Sequence, residues 1–130
     1  MHSSDQPPRV LCVACSPRAL DILDRALRYS QWRILTAATR KKGIAVCVAE
    51  NIALAVLDAE SIRGKEVSVA TSLKKVRPNL RVIMLEERQR ASERPVSVDA
   101  IVPLNDPEKL LKTIQDLLRA AGTESVPAAS

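Results

Sequence analysis

An acidic residue at the end of a long apolar run is the first candidate for chemistry in this chain. Residues 52–57 carry only apolar side chains, and Asp58 follows them directly. A continuous run of this length is typical of a strand buried on both faces of a parallel sheet. Such a strand ends at the carboxyl edge, where α/β proteins place their sites. Asp58 is therefore predicted to lie at a site, although an aspartate there also has a structural use, capping the next turn. A weaker alternative is an acidic rim that binds a cation, made of Asp58, Glu60, Glu86 and Glu87.

The cysteines offer a second kind of chemistry. Cys12 and Cys15 form a C-x-x-C pattern, and Cys12 and Arg18 have the C-x5-R spacing of a phosphatase phosphate loop. A redox or metal pair would be expected on a loop or at a helix start, whereas Cys12 falls inside an apolar strand. A phosphate loop binds its anion with successive backbone N–H groups, usually helped by glycine, but this segment has no glycine and Pro17 lacks an N–H. The pattern favours core cysteines, and a small enzyme using Cys12 or Cys15 remains an alternative.

Length and composition indicate one aliphatic domain. The chain has 130 residues, of which 46% are hydrophobic and only 2% aromatic, as is typical of parallel sheets covered by helices. Three cysteines in apolar surroundings do not make a disulfide scaffold, which favours a cytoplasmic location. No secretory leader is recognisable, and no apolar stretch reaches the roughly 18 residues of a membrane span.

The charge pattern permits an acidic partner without requiring one. The formal net charge is +5, but the basic residues fall into three separated clusters, within residues 40–42, 74–77 and 88–94. A nucleic-acid-binding domain would be expected to show one basic stripe with stacking aromatics or a recognition helix. Nucleic acid is therefore not favoured as a partner, and His2, in a polar leader, is no candidate ligand or base.

Strand and helix patterns alternate along the chain. Ser16-Pro17 and Asp106-Pro107 are helix-start signals, and Pro78 is a stop signal. The predicted strands cover residues 9–14, 32–38, 52–58, 81–85 and 99–103. The predicted helices cover residues 17–29, 40–50 and 68–76, with a last helix from Asp106 that ends at Gly122. Five strands alternating with helices predict an α/β fold with a doubly wound parallel sheet.

At this level the chain resembles the receiver domain of bacterial two-component response regulators. Leu35-Thr36-Ala37-Ala38 is similar to the second strand of that family, Leu54 to Asp58 to the third, Val82 to Leu85 to the fourth, and Val98 to Pro103 to the segment before the family's lysine. The resemblance covers roughly residues 9–118. It implies a flavodoxin-like sheet of order 2-1-3-4-5, with Asp58 in the phosphoacceptor position.

The chain departs from the family pattern at the other working positions. The resemblance places Ala14 and Cys15 where the family has an acidic pair that binds Mg²⁺, Glu86 at the switch hydroxyl, and Leu104 at the lysine. Mg²⁺ prefers oxygen ligands, and phosphoryl transfer depends on charge neutralisation by metal and cations. The expectation is a degenerate site with no metal or cofactor. Mg²⁺ would be needed only if Asp58 were a true phosphoacceptor.

These observations predict a signalling module and not an enzyme. We expect a flexible leader over residues 1–8, a receiver-like domain over residues 9–121 and a flexible tail over residues 122–130. Residues 88–94 are polar and Pro95 follows, so the fourth connecting helix is expected to be shortened or missing. The expected function is phosphorylation-independent protein interaction, with a histidine kinase or an output protein as partner and no membrane. Phosphorylation on Asp58 and a homodimer remain open alternatives.

Overall fold

The computed structural model describes residues 7–13, 16–28, 32–59, 66–86 and 97–125. Five strands form one sheet in the order β2-β1-β3-β4-β5, and every neighbouring pair is parallel. The elements, in chain order, are β1 (Arg9–Val13), α1 (Pro17–Leu27), β2 (Arg33–Ala37), α2 (Arg40–Ala49), β3 (Leu54–Asp58), α3 (Glu66–Val76), β4 (Arg81–Glu86), β5 (Ala100–Pro103) and α4 (Pro107–Ser125). The predicted fold class and strand order are confirmed.

The starts of α1, α2 and α4 follow from local capping signals. Ser16 precedes α1, its Oγ accepts the Ala19 N–H at 3.2 Å, and Pro17 occupies the first turn. Thr39 Oγ1 accepts the Lys42 N–H at 3.1 Å at the start of α2. Asp106 Oδ1 accepts the Lys109 N–H at 3.0 Å at the start of α4. These side chains satisfy N–H groups that have no partner within the first helical turn.

The helices cover both faces of the sheet, and each face has its own core. Alternate strand residues contribute to opposite sides, as the two-residue period of a strand requires. On one side the sheet packs against α2 and α3, with a core that includes Leu11, Val13, Cys47, Leu57, Leu73 and Met84. On the other side it packs against α1 and α4, with a core that includes Val10, Cys12, Leu23, Val56, Leu85 and Ile114. Strand β3 is buried along its whole length.

Two polar links fix the amino-terminal end of the sheet. Arg77 donates from Nε to the Cys47 carbonyl at 2.9 Å and from Nη2 to the Glu50 carbonyl at 3.0 Å, which satisfies carbonyl groups at the end of α2. Asp99 Oδ2 accepts from the Val82 N–H at 2.7 Å and from Lys74 Nζ at 2.9 Å. These contacts join α2, α3, β4 and the segment before β5.

Some boundaries differ from those predicted. Helix α4 continues past Gly122 to Ser125, because a glycine inside a helix costs only about 1 kcal/mol and does not forbid helix. Strand β3 begins at Leu54, although Ile52 is also buried. The predicted shortening of the connecting helix between β4 and β5 falls on residues 87–96, outside the described residues. Within the described part of the chain, no helix is both long and apolar enough to cross a membrane.

Candidate functional site

Three neighbouring strands end together at the carboxyl edge of the sheet. Asp58 lies beside Leu85 in the β3–β4 register, and Glu86 lies beside Pro103 in the β4–β5 register. The pairing continues past the strand ends: the Ala59 N–H donates to the Leu85 carbonyl at 2.9 Å, and the Leu104 N–H donates to the Glu86 carbonyl at 2.7 Å. The edge therefore continues the backbone pairing of the sheet, with Asp58 and Glu86 on adjacent strands.

The Asp58 carboxylate connects the central strand to the first helix. Its side chain is buried, with 1% of the residue exposed, and Oδ2 accepts the Ser16 N–H at 2.8 Å. Ser16 is the N-cap residue of α1, so Asp58 holds the backbone from which that helix starts. A carboxylate near a helix start also interacts favourably with the helix dipole. The sequence placed Asp58 at the edge, and the structure gives it a definite structural contact there.

Glu86 is the second buried carboxylate of the edge. It is 6% exposed, and Asp58 and Glu86 are the buried charged residues among those described. A glutamate is rarely this buried without a reason. The sequence identified Glu86 as the residue in the family's hydroxyl position and as a member of the alternative acidic rim. Its burial depends on how β4 and β5 pair, and could not be deduced from composition.

The end of β5 is apolar. Leu104 follows Pro103, is 4% exposed and packs in the core between the sheet and α4. The Leu104 side chain is thus part of the hydrophobic core, and neither Pro103 nor Leu104 can supply an ammonium group to the edge.

Potential metal ligands do not cluster in the described part of the chain. No group of three or more His, Cys, Asp or Glu side chains comes together there in a way that could hold a metal ion. Ala14 and Cys15, the residues predicted to replace the acidic pair, lie outside the described residues, as do Glu60 and Glu87 of the acidic-rim alternative. Neither the alanine nor the cysteine side chain carries the oxygen ligand that Mg²⁺ prefers.

The described cysteines are core residues. Cys12 is 1% exposed within β1 and packs on the α1 side of the sheet. Cys47 is fully buried in α2. Burial raises the pKa of the Cys47 thiol, and the Arg77 guanidinium lowers it by less, so this thiol is protonated at neutral pH and is a poor nucleophile. Arg18, the last residue of the C-x5-R pattern, lies in the first turn of α1.

The basic clusters are distributed over both ends of the sheet. Residues 40–42 form the first turn of α2, which follows the carboxyl end of β2, and Lys74 and Lys75 lie in the last turn of α3 at the opposite end. The third cluster, within residues 88–94, is outside the described residues. Arg77 and Lys74 serve structural contacts that the sequence did not reveal, because their partners are distant along the chain.

Comparison with solved structures identifies the fold. No protein-family model matches the chain, and no curated protein does. A response regulator receiver domain protein (CheY-like) from Methanospirillum hungatei has a TM-score of 0.75 at 22% identity, covering 91% of this chain and 98% of that chain. A signal receiver domain of an HD domain-containing protein from Pseudomonas fluorescens has a TM-score of 0.77 at 13% identity, covering 90% and 98%. The response regulator TrrA from Thermotoga maritima, solved with Mg²⁺ and BeF, has a TM-score of 0.71 at 22% identity, covering 85% and 98%. The chain thus has the receiver-domain fold.

Proposed function

We propose that this chain is a receiver-like signal-transduction domain of a two-component or phosphorelay pathway, and that it works as a phosphorylation-independent protein-interaction module. The receiver fold supports the general role. The partner would be a histidine kinase or an output protein, and the interaction would take place in the cytoplasm. The finer part of the proposal, independence from phosphorylation, depends on the residues at the carboxyl edge of the sheet.

The observation that carries the proposal is the composition of that edge. Asp58 ends β3, the position that the family resemblance gives to the phosphoacceptor, but Glu86 ends the adjacent strand and the core residue Leu104 follows β5. A phosphoryl group on Asp58 would bring further negative charge to an edge where the adjacent strand already ends in the buried Glu86. Phosphoryl transfer depends on positioning and on neutralisation of that charge. An edge with an added acid and an apolar end to β5 is therefore poorly suited to the reaction.

The residues at the edge also do not fit a resident Mg²⁺. One oxygen of Asp58 accepts a backbone N–H, and the sequence has Ala14 and Cys15 at the positions where the family resemblance requires acids. Mg²⁺ demands near-octahedral oxygen coordination and is usually anchored by one or two carboxylates with waters. We therefore assign no step to a metal. Asp58 instead holds the start of α1.

Thermal unfolding with a phosphoryl mimic tests the proposal. A ligand that binds only the native state raises the free energy of unfolding, by about 2.7 kcal/mol at a hundred times its Kd, which shifts Tm by several degrees in a domain of this size. We expect millimolar Mg²⁺ with beryllofluoride to leave Tm unchanged in the wild type.

The matched control is a variant in which the acidic pair and the hydroxyl are restored, Ala14→Asp, Cys15→Asp and Glu86→Thr together, while the core residue Leu104 is kept. This variant should gain a Tm shift that requires both Mg²⁺ and beryllofluoride, and the shift should disappear when Asp58→Ala is added. A shift of similar size in the wild type, lost in Asp58→Ala alone, would contradict the proposal and identify a working phosphoacceptor.

A further inference from the structure

The outer edge of β2 presents backbone groups that no described strand pairs. Strand β2 is the last strand of the sheet and pairs with β1 on one side only. The Arg33 N–H donates to the Pro8 carbonyl at 2.9 Å, so the peptide groups of Arg33 face β1. Because this direction alternates along a strand, the N–H and C=O groups of Ile34 and Thr36 face outwards. They form a short template for a further strand.

A groove runs beside this edge on the α1 side of the sheet. Its volume is about 280 Å³, and it is lined by Cys12, Leu20, Leu23, Asp24, Arg28, Ile34 and Thr36. The lining is mainly apolar, with Asp24 and Arg28 joined by a hydrogen-bonded ion pair at 3.0 Å. Ile34 is 37% exposed and is one of two exposed large hydrophobic residues in the described part of the chain. The groove can accept an apolar side chain from a strand added at the β2 edge.

The charges on the segment that contains β2 and α2 are of one sign. Between residues 33 and 49 the chain carries Arg33, Arg40, Lys41 and Lys42 and no acid. All four cations are exposed, and Arg40 Nη1 donates to a neutral hydroxyl, that of Ser68, at 3.4 Å. Cations therefore flank both ends of β2, which matches a partner with acidic residues on either side of an apolar centre.

We propose that the β2 edge and the α1–β2 groove together bind an extended acidic peptide segment of another protein. The segment would add a sixth parallel or antiparallel strand, through hydrogen bonds to Ile34 and Thr36. One apolar side chain would enter the groove, and acids at the segment's ends would face the four cations. Main-chain bonds supply affinity and the side-chain pocket supplies specificity in this mode of recognition.

The same charges disfavour a second copy of the chain as the occupant. Pairing two β2 strands would bring the cations of residues 33–42 of both copies to one interface, and like charges across a strand pair are destabilising. The proposal concerns a surface separate from Asp58, and it holds whether or not Asp58 is ever phosphorylated.

The test is fluorescence anisotropy with labelled peptides at low ionic strength. The probe is Glu-Thr-Val-Leu-Val-Glu-Glu with blocked ends, and the matched probe has lysine at the three glutamate positions. We expect saturable binding of the acidic probe only. Binding should weaken with added salt, because screening reduces attraction between exposed charges. Arg33→Glu should weaken binding further.

Variants at Thr36 isolate the backbone contact. Thr36→Pro removes an outward N–H and leaves the hydrogen bonds to β1 in place. Edge strands tolerate proline at such outward-facing positions. Thr36→Val is the control, because it keeps the N–H. We expect the proline variant to bind at least about fivefold more weakly, the effect of one ordinary hydrogen bond, and the valine variant to bind normally. If Thr36→Pro does not fold, two N-methylated versions of the acidic probe test the same backbone contact with the wild-type protein. Methylation of one alternate set of residues should abolish binding, and methylation of the other set should not.

Three results would overturn the proposal. The first is absence of saturable binding of the acidic probe. The second is equal binding of the two N-methylated probes, which would mean that the β2 backbone is not recognised, or binding of the lysine probe as tight as that of the acidic probe, which would mean that the charge pattern is not recognised. The third is a dimer in sedimentation velocity, formed without peptide and lost in Thr36→Pro, which would assign the edge to a second copy of the chain.

Discussion

Substitution of Asp58 separates a structural role from a chemical one. The Oδ2 atom accepts the Ser16 N–H at 2.8 Å, and a hydrogen bond to a charged group contributes about 1.5–3 kcal/mol, against about 0.5–1.5 for a neutral pair. Asp58→Asn keeps an acceptor of the same shape, so the bond should lose about 1 kcal/mol. Removal of a buried charge offsets part of that loss. We therefore expect Asp58→Asn to change the free energy of unfolding by less than about 1 kcal/mol.

Asp58→Ala should be clearly worse, because it leaves the Ser16 N–H without this acceptor. An unsatisfied buried donor costs about 1–3 kcal/mol; because the Ser16–Asp58 bond is part-buried, we expect a loss of about 1–2 kcal/mol. Urea denaturation followed by circular dichroism measures both variants. Ser16→Ala removes the N-cap hydroxyl and should cost about 1 kcal/mol. Since Ser16 and Asp58 act on the same helix start, the double variant Ser16→Ala, Asp58→Ala should deviate from additivity.

Two stability outcomes would refute this account of Asp58, and a binding outcome would reassign its role. A gain of more than about 2 kcal/mol in Asp58→Asn would show that the carboxylate is held under electrostatic strain, as expected of a residue retained for chemistry. An unchanged stability in Asp58→Ala would show that the contact with Ser16 contributes nothing. Loss of partner binding in a folded Asp58→Asn protein would make Asp58 the working centre of signalling.

Three further predictions test the fold and its titration. Asp99→Ala should lower the free energy of unfolding by about 2–4 kcal/mol in urea, since the Val82 N–H and the Lys74 ammonium lose their acceptor, and Asp99→Asn should cost less. Gly43→Ala should lower the free energy of unfolding by about 1 kcal/mol, because the new Cβ would lie 3.1 Å from a Val13 methyl. Overpacking costs about 1–3 kcal/mol, which exceeds the helix-propensity gain of about 0.5–1 kcal/mol. In a Val13→Ala background the loss should disappear. Burial raises the pKa of the Cys47 thiol above its ordinary value, and the Arg77 guanidinium lowers it by less. The native state therefore keeps this proton to higher pH than the unfolded state, and the free energy of unfolding should fall as the pH rises from the ordinary thiol pKa through the folded pKa. The fall should be shallower in Cys47→Ala, and equal slopes would contradict the assignment.

The order of the elements could be predicted because the local signals agreed with the fold. The apolar run before Asp58 forms a fully buried central strand, and the cap signals at Ser16 and Asp106 both start helices. Strand alternation with helices then leaves few topologies, since crossovers between parallel strands are right-handed. In these segments the local sequence pattern and the tertiary structure favour the same secondary structure.

The contacts at the sheet edges could not be predicted, because they join residues far apart in the chain. The bond between Asp58 and the Ser16 N–H spans 42 positions, and the burial of Glu86 depends on the β4–β5 pairing. The exposed face of β2 has an apolar Ile34 that looks like an ordinary core residue in the sequence. Only the position of β2 at the end of the sheet leaves it partly uncovered.

Reaction with a small-molecule phosphodonor tests the central claim most directly. The intact mass of the protein is measured after incubation with acetyl phosphate and Mg²⁺, beside Asp58→Asn and the variant with Ala14→Asp, Cys15→Asp and Glu86→Thr. The proposed function predicts an unchanged mass for the wild type, because Glu86 adds charge where the reaction requires neutralisation. A wild-type adduct of one phosphoryl group that is removed by hydroxylamine and absent from Asp58→Asn would contradict it.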